Sequence, residues 1–176
     1  MASGHDAVLD HSGDALTADV ARVWPGVSVS WHAATTDAAL ALRIQVALVV
    51  GVEPPAVSVG RLCGRCGSSE HGRPWASHGV HVSLSRSGPH LLTAVSTTGP
   101  VGVDVEDVVA AERAWCDVSE HDDVDAAQAW CRFEAVLKRD GTGLAARSVD
   151  AVAVDATVLD LDAPDGYRAA VAFAAG

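Results

Sequence analysis

The segment Gly102-Val103-Asp104-Val105-Glu106 alternates apolar and acidic residues, and it constrains the fold more than any other stretch of the chain. On a strand the side-chain period is two, so Val103 and Val105 sink into a core while Asp104 and Glu106 project together from the opposite face. Further on, Trp130-Cys131-Arg132-Phe133-Glu134-Ala135-Val136-Leu137-Lys138 reads as helix, with Glu134 and Lys138 on one face at i and i+4. Lys138 is the only lysine of the chain. Carboxylates a few ångströms apart raise one another's pKa unless a cation intervenes. A hard ion such as Mg²⁺ takes one or two carboxylates and leaves room for substrate phosphates, so three acids and an ammonium suit a metal-bound polyphosphate. The same residues also read as the acidic outer face of a half-exposed edge strand and a surface ion pair of small energetic value.

Around these segments the pattern predicts two halves of similar design. The first holds a strand near 27–32, a helix over about 36–50, a strand near 57–62 and a hairpin of 80–85 with 91–96, turned at Arg86-Ser87-Gly88-Pro89. The helix is nearly all apolar, which predicts that it lies buried between other elements. The second half starts with a strand over 101–106 and has a helix over about 124–139, ended by Gly141. It closes with strands near 149–155, 157–162 and 167–174, the last two joined at Asp165-Gly166. The expected fold is therefore α+β, with two pseudo-repeated halves at 20–98 and 99–176. Each half is a small antiparallel sheet with a packed helix, and a ligand cleft and active site lie at their interface. Residues before Val20 carry no readable role.

With these segments in place, the chain resembles the 4'-phosphopantetheinyl transferases, in particular their larger type with two pseudo-repeated halves. That family reads Gly-(Ile/Val)-Asp-(Ile/Val)-Glu and then Trp-x-x-Lys-Glu-(Ala/Ser)-x-x-Lys; the counterparts here are Gly102 to Glu106 and Trp130 to Lys138. Upstream, His71-Gly72-Arg73-Pro74 is similar to the family's Gly-Lys-Pro segment, and Val82 to Gly88 to its Asn-x-Ser-His-Ser-Gly segment. The four segments occur in the family's order, and the resemblance spans about Leu40 to Leu144. Phe133 stands where the family has a lysine, Arg86 where it has a histidine, and the stretch between Glu106 and Trp130 is shorter than usual, which implies a reduced helix or flap there.

The resemblance implies Mg²⁺-dependent transfer of 4'-phosphopantetheine from coenzyme A to a serine of an apo acyl or peptidyl carrier protein. It implies Asp104, Glu106 and Glu134 as metal ligands and Glu134 as the base that takes the serine proton. Lys138 would neutralise the leaving nucleotide, and Arg73, Ser85 and Arg86 would join it in holding coenzyme A, with the nucleotide contacts in the first half. A shortened relative that binds coenzyme A or a carrier without transfer is the alternative, favoured by Phe133 and the short middle stretch. Asp104→Ala is expected to spare the fold, as a change at an exposed strand-end carboxylate would.

At 176 residues, 49% hydrophobic and 20% charged, the chain has enough apolar material for a core. No stretch reaches the roughly 20 apolar residues of a membrane span, and the start lacks a signal-peptide pattern, so a cytoplasmic monomer is expected. A net charge of −11 opposes nucleic-acid binding, which rests on cations meeting phosphates. It also opposes docking of an acidic carrier unless a local basic patch intervenes, and Arg61, Arg65, Arg73 and Arg86 are the candidates. Cys63-Gly64-Arg65-Cys66 is half of a zinc site or a simple turn; His71, His78 and His81 are the candidates to complete it, at no familiar spacing. Cys116 and Cys131 read as small apolar residues.

Overall fold

The computed structural model describes residues 8–9, 15–16, 19–119, 125–142 and 156–174. Its strands are β1 (Val8–Leu9), β2 (Ala15–Leu16), β3 (Asp19–Trp24), β4 (Val27–Ala33), β5 (Val59–Leu62), β6 (Arg73–Ala76), β7 (His81–Ser87), β8 (His90–Ser96), β9 (Val101–Asp107), β10 (Ala156–Leu161) and β11 (Tyr167–Ala174). The helices are α1 (Ala38–Val50), α2 (Val108–Cys116) and α3 (Ala126–Asp140). The mixed α+β class expected from the pattern holds. Antiparallel pairing gives a four-stranded sheet in the order β3-β4-β8-β7, a three-stranded sheet in the order β10-β11-β9, and the ribbons β5-β6 and β1-β2.

Period-two alternation decides the layering. Val27 and Val29 of β4, Leu92 and Ala94 of β8, Val101, Val103 and Val105 of β9, and Ala169, Val171 and Phe173 of β11 form one core between the two larger sheets. On the outer face of the four-stranded sheet, Val82 and Val95 meet Leu42, Val46 and Ala47 of α1. On the outer face of the three-stranded sheet, Ala170 and Ala172 meet Cys131, Ala135 and Val136 of α3. The order is thus helix, sheet, sheet, helix. Contrary to the sequence expectation, α1 is an outer layer and not a helix enclosed on all sides: Leu48 is 46% exposed.

Caps set the helix limits. Asp37 accepts from the Leu40 amide at 2.8 Å and Asp125 from the Gln128 amide at 3.0 Å, each satisfying an amide of a first turn. Gly141, at φ 72, closes α3 through its amide to the Leu137 carbonyl, as the sequence predicts. Helix α2 follows β9 directly, capped by Asp107, so the short middle stretch still contains nine helical residues. Its Ala111 and Trp115 pack on Trp130, Phe133 and Leu137 of α3. The β7–β8 hairpin turns at residues 88–89, within the expected segment 86–89 but tighter, because Arg86 and Ser87 still pair with Leu91 and His90. The strand expected near 149–155 lies outside the described residues, whereas β3, β6 and α2 have no counterpart among the sequence expectations. No helix among the described residues is long and apolar enough to cross a membrane.

The two larger sheets meet along their edge strands β7 and β9. Ser83 Oγ accepts from the Val103 amide at 3.1 Å and Ser87 Oγ from the Asp107 amide at 3.1 Å, while Ser85 Oγ donates to Asp104 Oδ1 at 2.8 Å. Two of three serines at a spacing of two therefore satisfy edge amides of β9 that the sheet ladder leaves free, and the middle one bonds a side chain of the same strand.

Candidate functional site

Strand β9, the last turn of α3 and strand β7 each deliver one side chain to a common point. Lys138 Nζ lies 2.5 Å from Asp104 Oδ1 and donates to Ser85 Oγ at 2.8 Å, which closes a triangle with the Ser85–Asp104 hydrogen bond. Lys138 thus pairs with Asp104, across the interface of α3 and β9, and not with Glu134 alone along its own helix. Asp104 is wholly buried, which corrects the expectation of an exposed strand-end carboxylate. The reason is that α3 covers the acidic face of β9. At Gly102, on that same face, an added Cβ would lie 2.0 Å from the Ala135 carbonyl oxygen. Asp104 Oδ2 is buried with no hydrogen-bond partner among the described residues, so one carboxylate oxygen is left without a donor or cation.

Glu106 and Glu134 stand nearby, both half-buried. Burial first, then the negative charge of Asp104, pushes Glu106 up to about 7; the Ser87 hydroxyl and the Lys138 ammonium act in the opposite direction, and Glu134 adds to the rise. Glu134 is raised by burial and by Asp104, against Lys138. Burial and the charges of Asp104 and Glu106 also raise the Cys131 thiol far above its usual range, so it is a neutral packing group, as the sequence predicts. A set made only of carboxylate oxygens would suit a hard divalent cation such as Mg²⁺, and the unpartnered Oδ2 is the observation that favours one here. Among the described residues, however, the only three-ligand group drawn within 4.8 Å is a different one, Cys63, Cys66 and His71, and Lys138 is the cation that the acids already share.

The raised Glu106 has a consequence for pH. Between the ordinary carboxylate value and about 7 the folded chain holds a proton that the unfolded chain has released, so this group's contribution to stability falls as pH rises through that window. Without divalent metal, the melting temperature is expected to decline between about pH 5 and about pH 8, and Glu106→Gln is expected to flatten that decline. An unchanged slope in the variant would assign the decline to another group.

Beside the triangle opens a cavity of about 600 Å³, walled by the β5–β6 ribbon, β7 and the end of α3. Arg61, Arg65 and Arg73 line it together with Lys138, the residue common to the cavity and the carboxylates. Arg73 Nη2 donates to the Arg139 carbonyl at 2.8 Å, tying the ribbon to α3. Arg86 is not brought to this group. Ser85 and Arg86 are neighbours on a strand and face opposite ways, and the Arg86 guanidinium donates to the carbonyls of Ala34 and Thr36. Phe133 is 4% exposed, with its ring 6.2 Å from Trp115 and 5.9 Å from Trp130, so it is a core residue joining α2 to α3. Sequence reasoning missed Ser83 and Ser87, although their spacing of two around Ser85 was the signal available. Compared with family models and with curated proteins, the chain finds no match in either.

Proposed function

We propose that this protein transfers 4'-phosphopantetheine from coenzyme A to the serine hydroxyl of an apo carrier protein, with the site in the cleft between a nucleotide-holding half and a carboxylate-bearing half. The observation that supports this reading is Lys138, which links the acids Asp104, Glu106 and Glu134 to a cavity whose other charged lining residues are the arginines Arg61, Arg65 and Arg73. Arg61, Arg65 and Arg73 hold the phosphates of coenzyme A, for which a guanidinium offers two parallel donors. Ser85 orients Lys138 and Asp104 and is a positioning residue. Glu134, half-buried and with its pKa raised by burial and by the Asp104 charge, takes the proton of the carrier serine as its oxygen attacks the pantetheine-bearing phosphorus. The bond from that phosphorus to the oxygen of the 3',5'-adenosine diphosphate breaks, and Lys138 meets the charge that collects on the departing phosphate. Asp104, Glu106 and Glu134 would hold Mg²⁺, which when bound neutralises the pyrophosphate oxygens.

The test is incubation with coenzyme A, Mg²⁺ and a panel of apo carrier proteins, read as the mass gained by the carrier. The expected result is one phosphopantetheine per carrier, lost in Asp104→Asn. The closed triangle of Lys138, Asp104 and Ser85 is the feature that favours a non-catalytic relative, since it occupies the ammonium and one Asp104 oxygen. Binding of coenzyme A with no carrier modified would select that second reading.

A further inference from the structure

The geometry points to a Zn²⁺ site in the loop between β5 and β6, held by Cys63 Sγ, Cys66 Sγ and a ring nitrogen of His71, with its fourth position open to solvent; it stands independently of the transferase reading. The loop is built to bring these atoms together. The Cys63 amide donates to the Ser68 carbonyl at 2.9 Å and the Gly67 amide to the Cys63 carbonyl at 2.8 Å, so the chain folds back on itself within six residues. Gly67 makes that turn at φ 72, in the left-handed region that glycine enters without strain. The backbone amides of Arg65 and Cys66 point at the Cys63 sulfur. Gly72 then returns the chain at φ 103, so close to the knuckle that a Cβ there would lie 2.4 Å from the Leu62 carbonyl oxygen and 2.5 Å from the Cys63 nitrogen. His71 is thereby held over the two sulfurs.

Distances favour a metal over a chance cluster. All three ligand atoms lie within 4.8 Å of one another, and Cys66 Sγ is 3.4 Å from His71 Nε2. With Zn–S near 2.3 Å and Zn–N near 2.05 Å, a tetrahedral ion needs a sulfur–nitrogen edge of about 3.6 Å and a sulfur–sulfur edge of about 3.8 Å. An ion therefore fits with small side-chain adjustments and no rearrangement of the backbone. Two thiolates and an imidazole are soft to borderline donors, which select zinc over magnesium and keep this centre chemically distinct from the carboxylates. Cys66 and His71 are exposed and Cys63 partly so, which gives an ion a path in and leaves the fourth position to water. Binding converts any remaining thiol to thiolate with release of its proton to solvent. No oxidant is involved, and both cysteines are free.

Co²⁺ is the probe, since zinc itself has no visible spectrum. The full chain, reduced and stripped of metal, is expected to take up one equivalent of Co²⁺ with thiolate-to-metal charge transfer and the visible bands of a tetrahedral ion, and to release it to Zn²⁺. Cys66→Ser and His71→Ala are expected to lose or markedly weaken these bands, whereas Cys116→Ser, an exposed cysteine on α2, keeps them. Zn²⁺ is also expected to slow amide exchange across residues 63–72 in the wild type and not in Cys66→Ser. Absence of tetrahedral bands in the reduced wild type, or equal bands in the wild type and Cys66→Ser, overturns the site. So does a chain whose two sulfurs form a disulfide in air and take up no Co²⁺ once reduced.

Discussion

If the protein transfers phosphopantetheine as proposed, Lys138→Ala is expected to slow that transfer at least about a hundredfold, the scale seen when one preorganised electrostatic group is removed, while coenzyme A binding weakens far less. On that reading the ammonium meets a phosphate whose charge grows as the bond breaks, so its contribution is larger in the transition state than in the bound substrate. A second effect accompanies the first. The variant leaves Asp104 wholly buried without the cation now 2.5 Å from it. Stranding one member of a buried pair costs about 3–5 kcal/mol, and because the Lys138 side chain is 30% exposed, the loss here falls toward or below the lower end. Single-turnover rates, a separate binding isotherm and a melting curve keep the two effects apart. Lys138→Arg restores the counter-ion and, on the proposed reading, only part of the rate, since a planar guanidinium does not fill the place of a compact ammonium. Wild-type turnover in Lys138→Ala would reduce Lys138 to a structural partner of Asp104.

Gly102→Ala is expected to cost about 3 kcal/mol, the upper end for overpacking, although it adds a single methyl group. Its Cβ would stand 2.0 Å from the Ala135 carbonyl oxygen and 2.4 Å from the Arg139 amide nitrogen. Both are backbone atoms of α3 that no rotamer change can move aside, so strand and helix must separate. The same displacement draws Lys138 away from Asp104, and activity is expected to fall together with stability. Gly64→Ala is the matched control: its Cβ would meet nothing within 4 Å, and the change is expected to lie within about 0.5 kcal/mol. Urea denaturation of both variants measures the difference. Equal stabilities would mean that α3 does not rest on Gly102.

Elements with a strong period were legible before any coordinates. Strand β9 shows as alternation, α3 as a helix over about 124–139 ended by Gly141, and the β10–β11 hairpin through its Asp165-Gly166 turn. Strand β6 was hidden because Pro74 argues against a strand; it is tolerated in a two-stranded ribbon, where Pro74 stands opposite Arg61. Helix α2 was hidden because it is short, opens with two β-branched valines and has a capping Asp107 that is also the last residue of β9. At the site, alternation correctly put Asp104 and Glu106 on one face but could not say that a helix covers that face. Burial of Asp104 is a tertiary fact. Ser85 and Arg86 show the reverse: the strand period alone implies that two adjacent residues cannot serve one point, and the family resemblance had joined them.

The serine bonds between β7 and β9 give the molecule a crease. Neither sheet's own ladder supplies these bonds, so turning three side chains about their first torsion is enough to unfasten the hydroxyls while every strand pairing stays whole. Each fastening can also be edited singly, by substituting one hydroxyl, which no backbone ladder permits. Because Ser85 is both a fastening and a partner of Lys138, widening the crease at its middle would loosen the ammonium before either sheet frays.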